Sequence, residues 1–203
     1  MIIHELMGDM HLNPPAVLKD IEEATGAMGF TMGSDHFTGS LLRTLAATKP
    51  GGTLLELGTG TGLATSWILD GMDASSRLIT VDREERHASV ARRFLGSDPR
   101  VTFRLMSGMD FIISMREQDS TFDLIFADMQ PGKFSLLEET LQLLTISGIY
   151  AVDDLLPLPE WSEEHAPRVV QLLTTFEYLE RQGDLRVARL NWSTGILIAV
   201  KIR

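Results

Sequence analysis

The chain has 203 residues, of which 44% are hydrophobic, and this is enough to fill the core of one domain. It contains no cysteine, which excludes disulfides, thiolate metal sites and cysteine nucleophiles. With 18 basic and 28 acidic residues its formal net charge is −10, which disfavours non-specific binding of nucleic acid and favours binding of cations. No apolar run has membrane-spanning length and no leader pattern opens the chain, so we expect a cytoplasmic protein that binds neither membrane nor nucleic acid.

Two helices are predicted in the first fifty residues. The first lies between Pro14 and Gly26, since proline is tolerated in a first helical turn. A glycine- and methionine-rich stretch at 26–34 predicts a loop, and Ser34 or Asp35 can cap a second helix that ends near the next proline.

Beyond residue 52, apolar strands and helices alternate. Strands are predicted at 53–57, 77–81, 101–105, 122–128 and 148–154. A helix follows each strand, the one after the fourth strand from about Phe134 and the last from about Glu163. Two further strands joined by a turn at 193–195 form a predicted antiparallel hairpin. The pattern indicates an α/β fold: a Rossmann-like, doubly wound sheet of seven strands, mostly parallel, with helices on both faces.

Residues that follow the strands are the candidates for a site, because ligands of such sheets bind beyond the carboxyl ends of the strands. Gly58, Gly60 and Gly62 alternate after the first strand and would let a ligand lie directly on the backbone. An ordinary strand-to-helix turn is the alternative. Asp82 ends the second strand and suits two contacts to a ribose diol, although it can also cap the next helix.

The charge beside the turn bears on which nucleotide-like ligand it would take. The turn reads G-T-G-T-G instead of G-x-G-x-x-G, and a pyrophosphate would favour a cation nearby. Glu56 and Asp128 instead supply negative charge, which suits the sulfonium of S-adenosylmethionine. A small NAD(P)-dependent oxidoreductase is the alternative.

Several strand-end motifs occur together in a fixed order. They are LLELGTGTG at 54–62, VD at 81–82, SGMDF at 107–111, FDLIFAD at 122–128, GIYAVDD at 148–154 and the closing hairpin. With them the sequence resembles the S-adenosylmethionine-dependent O-methyltransferases, in particular the small class I enzymes related to catechol and caffeoyl-CoA O-methyltransferases. The resemblance covers about residues 34–202. It implies a single class I methyltransferase domain with a helical cap on the substrate side at 1–50 and a cofactor-binding core at 51–203.

The resemblance also assigns residues to the cofactor. Glu56 and the three glycines of the turn would line the methionine end of the cofactor. Asp82 would bind its ribose, and the SGMDF segment would border its adenine. The residues so assigned are Glu56, Gly58, Thr59, Gly60, Gly62, Asp82, Arg83, Gly108, Met109, Asp110 and Asp128.

Three carboxylates follow neighbouring predicted strands. Asp128, Asp153 and Asp154 would form an oxygen-rich site suited to Mg²⁺ or Ca²⁺. Metal-dependent relatives hold Asp, Asp and Asn at the matching positions, so Asp154 departs from the family pattern. The alternative is that Asp153 or Asp154 caps a turn before Pro157.

Methyl transfer requires an acceptor oxygen held close to the methyl carbon and relieved of its proton. A metal can lower the pKa of the hydroxyl, or a base can remove the proton. Asp128, Lys133 and His36 are the predicted catalytic residues, and His165 is a further candidate base. Four residues separate Asp128 from Lys133, a spacing that departs from the relatives, so Lys133 can equally be a solvated lysine.

The expected reaction is methyl transfer from S-adenosylmethionine to a hydroxyl oxygen of a small-molecule acceptor. Pro159 and Trp161 could wall an aromatic acceptor, or belong to a packed loop. Because relatives are often dimers, we also consider a homodimer. A degenerate cofactor-binding protein without catalysis is the non-enzymatic alternative.

Overall fold

Seven strands form one sheet in the computed structural model, which describes residues 12–158 and 161–203. The strands are β1 Thr53–Leu57, β2 Arg77–Asp82, β3 Val101–Leu105, β4 Phe122–Ala127, β5 Leu144–Val152, β6 Leu185–Leu190 and β7 Ile196–Lys201. Their order across the sheet is β3-β2-β1-β4-β5-β7-β6. Pairing among β1 to β5 is parallel, whereas β7 runs antiparallel to both β5 and β6. The predicted sheet and its closing hairpin are confirmed.

Helices cover both faces of the sheet. They are α1 Leu18–Ala27, α2 His36–Ala47, α3 Leu63–Gly71, α4 Glu85–Leu95, α5 Gly108–Glu117, α6 Leu137–Gln142 and α7 His165–Gln182. The first four pack on one face and the last three on the other, each set around its own apolar cluster. Within the ranges described, no helix combines the length and apolar character needed to cross a bilayer.

Alternation along the central strands explains the two clusters. In β1, Leu54 belongs to the cluster under α1–α4, whereas Leu55 and Leu57 belong to the cluster under α5–α7. In β4, Phe126 and Ile125 divide in the same way. Successive side chains of a strand point to opposite faces, so an uninterrupted apolar strand serves two cores at once.

The structure differs from the prediction at several boundaries. The helix after β4 begins at Leu137, and a kinked turn, Gln130–Lys133, precedes it. Pro131 (ψ 134°) and Gly132 (φ 92°) take backbone angles that a helix cannot contain. Strand β5 starts earlier than predicted, with a shift of register after its first residue, and ends at Val152. The two aspartates that follow it therefore lie beyond the strand.

The site is placed by the point at which the strand order reverses. β1 lies between β2 and β4. The connection leaving β1 leads to β2 on one side, and the connection leaving β4 leads to β5 on the other. The two strand ends are adjacent, because the Asp128 N–H donates to the Leu57 carbonyl oxygen at 2.8 Å. Such a divergence opens a crevice, which is where ligands of doubly wound sheets bind.

Candidate active site

The glycine turn follows β1, and all three glycines have positive φ: 111° at Gly58, 51° at Gly60 and 94° at Gly62. A side chain at Gly58 would place its Cβ 2.8 Å from the Asp128 carbonyl oxygen, and one at Gly62 would meet the Ala91 Cβ at 2.8 Å. Close packing within the chain therefore explains two of the glycines. Gly60 differs, since a Cβ there would meet only an aromatic ring of the facing loop, at 3.4 Å.

Asp82 ends β2 beside this turn. Its Oδ2 accepts the Gly60 N–H at 2.8 Å and its Oδ1 accepts the Glu84 N–H at 2.9 Å. Both carboxylate oxygens are thus oriented by the backbone, and each keeps lone pairs for a further donor. The carboxylate links the glycine turn to the start of α4 and is partly exposed.

Glu56 lies beneath the turn and is fully buried. Its Oε2 accepts hydroxyl hydrogens from Thr65 at 2.6 Å and Thr80 at 2.5 Å, and the Thr59 hydroxyl lies 2.6 Å from that of Thr80. Burial raises the pKa of Glu56 to about 7, against these hydrogen bonds, which lower it. Its Oε1 has no hydrogen-bond partner in the described part of the chain. A buried carboxylate oxygen without a partner can accept a hydrogen bond from the ammonium group of a ligand.

The loop at 28–34 lies over the glycine turn. Phe30 and Ser34 line a small cavity together with Gly60 and Asp128, and the Ser34 hydroxyl lies 3.4 Å from Asp128 Oδ2. The cavity volume is about 20 Å³, which holds little more than one water molecule. A nucleoside-sized ligand therefore requires this loop to move.

The predicted adenine segment opens α5. Gly108 is buried at the first residue of the helix, while Met109 and Asp110 are exposed beside it. A Cβ at Gly108 would lie 2.6 Å from the Met129 sulfur, so the segment packs against the residue that follows Asp128. Arg83 is largely exposed and pairs with its neighbour Glu84 at 3.3 Å.

The three predicted metal ligands lie at the ends of β4 and β5. Asp153 is buried and accepts the Asp154 N–H at 2.7 Å and the Thr194 hydroxyl. Asp154 has positive φ, 63°, and its Oδ2 lies 3.4 Å from the Lys133 Nζ. Across 12–158 and 161–203, no three histidine, aspartate or glutamate side chains are grouped to hold a metal ion. The Mg²⁺ or Ca²⁺ site at these carboxylates stays a prediction.

Asp128, Asp153 and Asp154 form an acidic cluster, and burial raises the pKa of two of them. It raises the pKa of Asp128 well above its usual range, while the nearby Lys133 charge acts in the opposite direction. It also raises the pKa of Asp153 to about 6, and the charge of Asp154 adds to that effect. The two buried carboxyls therefore bind protons at higher pH than they would in water.

His165, at the start of α7, contacts the backbone of Asp154 in the acidic cluster. Its Nε2 lies 2.9 Å from the Asp154 carbonyl oxygen, so this nitrogen carries the hydrogen and donates it. Its ring stacks on Trp161 at 3.9 Å and meets Phe134 edge-on at 5.6 Å. The histidine holds the backbone of Asp154. Pro159, the other predicted wall residue, lies outside the described residues.

His36 is placed at the first turn of α2. Its Nε2 lies 2.5 Å from Glu22 Oε1 of α1, and its ring centroid is 6.1 Å from that of Trp67. The imidazole is about one-third exposed. Its partner is thus a surface carboxylate outside the acidic cluster.

Sequence reasoning missed the hydroxyl partners of the buried carboxylates. Thr65 and Thr80 bind Glu56, and Thr194 binds Asp153. One signal existed for Thr80, a polar residue inside an apolar strand, since buried polar groups need partners. Thr194 had none, because it is 41 residues from its partner.

Comparisons with known proteins agree with this geometry. Residues 55–155 match the model of a family described as a methyltransferase domain. Proteins with O-methyltransferase names from Mycobacterium ulcerans and Mycobacterium tuberculosis are 35% identical to the chain over 118 residues. The match covers 56% of this chain and 52% of each relative, so the chain spans about half the length of these curated relatives.

Solved structures share the fold. An O-methyltransferase from Bacillus cereus in complex with S-adenosylhomocysteine has a TM-score of 0.80 at 20% identity, covering 99% of this chain and 97% of that one. The O-methyltransferase TomG from Streptomyces achromogenes, in complex with S-adenosylmethionine, has a TM-score of 0.80 at 19% identity, with 100% and 95% covered. The chain is therefore similar in sequence to a methyltransferase domain over about half its length, and it shares its fold with solved S-adenosylmethionine- and S-adenosylhomocysteine-bound O-methyltransferases.

Proposed function

We propose that the chain transfers the methyl group of S-adenosylmethionine to a hydroxyl oxygen of a small-molecule acceptor. The observation that carries the proposal is the convergence of Gly60, Asp82 and Glu56 at the ends of β1 and β2. The bound forms of the B. cereus and S. achromogenes structures support it. When bound, S-adenosylmethionine supplies an electrophilic methyl group on a sulfonium.

Each end of the cofactor has a matching group in this proposal. The Asp82 carboxylate, fixed by two backbone N–H groups, accepts the ribose hydroxyls. The unpartnered Oε1 of Glu56 accepts the ammonium of the methionine end. Gly108, Met109 and Asp110 border the adenine. The loop at 28–34 then covers the turn and excludes water, as part of the predicted helical cap at 1–50.

The acceptor is proposed to lie beside Asp128, which lines the same cavity as the glycine turn. Positioning of the acceptor oxygen supplies much of the rate enhancement of a displacement reaction. Asp128, with its raised pKa, and His36 are the proposed proton acceptors, and single substitutions at each test them. No step of this proposal is assigned to a metal ion.

Binding and turnover test the proposal separately. S-adenosylhomocysteine should raise the melting temperature, and NAD should not; the reverse result would favour an oxidoreductase. Asp82→Asn should weaken S-adenosylhomocysteine binding by about 10- to 100-fold, the usual range for a lost charged hydrogen bond. Asp20→Asn, at an exposed position in the first turn of α1, is the control.

Labelled methyl transfer to a panel of hydroxylated acceptors then tests catalysis. Cofactor binding without transfer to any acceptor would indicate a degenerate binding protein. A cytoplasmic location and a homodimer are further parts of the proposal. Light scattering after size-exclusion chromatography measures the second.

A further inference from the structure

A buried threonine of the helical cap lies against the glycine turn. Thr25, in the last turns of α1, is 7% exposed, and Thr61, between the second and third glycines, is 1% exposed. Their hydroxyl oxygens lie 2.8 Å apart, and the Thr25 hydroxyl lies 2.6 Å from the Ile21 carbonyl oxygen. A hydroxyl carries one hydrogen and a carbonyl oxygen only accepts, so Thr25 donates to Ile21 and accepts from Thr61. The hydroxyl of the turn therefore has its acceptor on the cap.

The backbone of Thr25 fixes the start of the loop over the turn. Its carbonyl oxygen accepts the Phe30 N–H at 3.2 Å, and the Gly29 N–H donates to the Gly26 carbonyl oxygen at 3.1 Å. Gly29 has positive φ, 71°. These two bonds form a Schellman motif, which ends a helix and directs the chain that leaves it. Phe30 is thus placed by the end of α1.

Both contacts of Thr25 lead to the proposed cofactor site. Thr61 and Phe30 line the same small cavity, Thr61 from the turn and Phe30 from the loop that covers it. The Phe30 ring faces Gly60, and its centroid lies 4.4 Å from that of the His87 ring on α4. Thr25 lies behind the two walls: its hydroxyl holds one and its carbonyl oxygen holds the other.

We infer that Thr25 is a positioning residue for the cofactor, and that it holds the loop and the glycine turn at the spacing that the bound cofactor needs. This inference rests on the proposed function. The loop moves to admit the ligand, while the hydrogen bond between Thr25 and Thr61 keeps the end of α1 docked on the turn. The loop therefore returns to the same position, and the helical cap is coupled to cofactor binding through one buried pair of hydroxyls.

The substitution Thr25→Val keeps the shape of the side chain and removes its hydroxyl. The Thr61 hydroxyl is then buried without its acceptor, which is unfavourable, so the turn or the helix shifts until the hydroxyl is paired or hydrated. Only the fraction of molecules with both walls in the competent arrangement binds the cofactor tightly. The substitution is therefore expected to weaken binding in the folded protein, in addition to any loss of stability.

Calorimetric titration of S-adenosylhomocysteine into the full chain tests the inference. Thr25→Val should weaken binding by about 3- to 10-fold, which corresponds to one lost hydrogen bond between neutral groups. Thr25→Ser, which keeps the hydroxyl, should bind nearly as well as wild type. Thr25→Val combined with Thr61→Val should bind more tightly than Thr25→Val alone, because no hydroxyl is then left unpaired.

Thr44→Val is the matched control. The Thr44 hydroxyl of α2 donates to the Ser40 carbonyl oxygen, four residues earlier, at 3.0 Å, as the Thr25 hydroxyl does to Ile21, but it is exposed. This variant removes the same kind of bond within a helix and should leave the binding of S-adenosylhomocysteine unchanged. The melting temperature of each variant without ligand records its stability separately.

Different failures have different meanings. Unchanged affinity in folded Thr25→Val, an equal loss in Thr25→Ser, or a double variant no tighter than Thr25→Val would overturn this inference and leave the proposed function standing. If Thr25→Val is unfolded at the temperature of the titration, Thr25→Ala takes its place, and equal affinities of Thr25→Ala and Thr25→Ser would overturn the inference. Absence of S-adenosylhomocysteine binding by wild type would overturn the proposed function, and this inference with it.

Discussion

Replacing Glu56 with glutamine is expected to change how the stability of the fold depends on pH. Glu56 is fully buried, and burial raises its pKa from 4.5 to about 7. Glutamine has nearly the shape of the protonated acid and can accept the same threonine hydroxyls through its carbonyl oxygen. It has no proton to lose, so it isolates the contribution of ionisation.

The sign of the effect comes from the proton count. Between pH 4.5 and 7 the unfolded chain has lost the Glu56 proton and the folded chain retains it, so stability falls as pH rises through this window. The fall ends above pH 7, where both states are ionised. A difference of about 2.5 pH units, at about 1.36 kcal/mol per unit, corresponds to about 3 kcal/mol. Because glutamine does not ionise, the stability of Glu56→Gln should not show this fall.

Urea unfolding of wild type and of Glu56→Gln at several pH values from 4.5 to 8 measures the free energy of unfolding of each protein. The stability of Glu56→Gln relative to wild type should increase by about 3 kcal/mol across this range. Asp153, whose pKa is also raised, contributes to both proteins and cancels in the difference. Glu23→Gln, at an exposed position of α1, controls for loss of a carboxylate outside the core. Parallel curves for wild type and Glu56→Gln would refute the reasoning.

Three further substitutions test packing around the site. Gly62→Ala should destabilise the fold by about 1–3 kcal/mol in chemical unfolding, since its Cβ would lie 2.8 Å from Ala91 at positive φ; an unchanged midpoint would contradict the close approach. Tyr150→Phe leaves the buried Gly132 carbonyl oxygen without its hydroxyl donor and should cost about 1–3 kcal/mol in the same assay. Phe30→Ala should speed S-adenosylhomocysteine association in stopped-flow fluorescence, because the loop over the turn loses the ring that faces Gly60; equal rates would show that the loop does not limit entry.

The succession of strands and helices along the chain and the glycine turn could be predicted because their signals are local. Apolar runs separated by helical periods specify parallel strands, and the antiparallel hairpin shows in two strands separated by a short turn. Asp82 was likewise predictable as a strand-end carboxylate, and the structure places it against Gly60. Each of these features depends on residues within one or two elements.

The partners of the acidic residues could not be predicted in the same way. Lys133 reaches Asp154 from a kinked turn that precedes the helix, and in that turn Gly132 packs against β1. Thr194 reaches Asp153 only because β7 inserts beside β5. Contacts of this kind are set by tertiary topology, and a one-dimensional pattern does not encode them.

The position of β7 has a consequence for how the protein assembles. Among the described strands, β6 pairs with β7 alone, while β7 also pairs with β5. The hairpin must therefore join the sheet as a unit, in a step that closes a long loop and is expected to be slow. Thr194, just before β7, meets Asp153 in that same step. We therefore expect completion of the sheet and formation of the acidic cluster to occur together, and refolding followed by far-UV signal and by ligand binding should share its slowest phase.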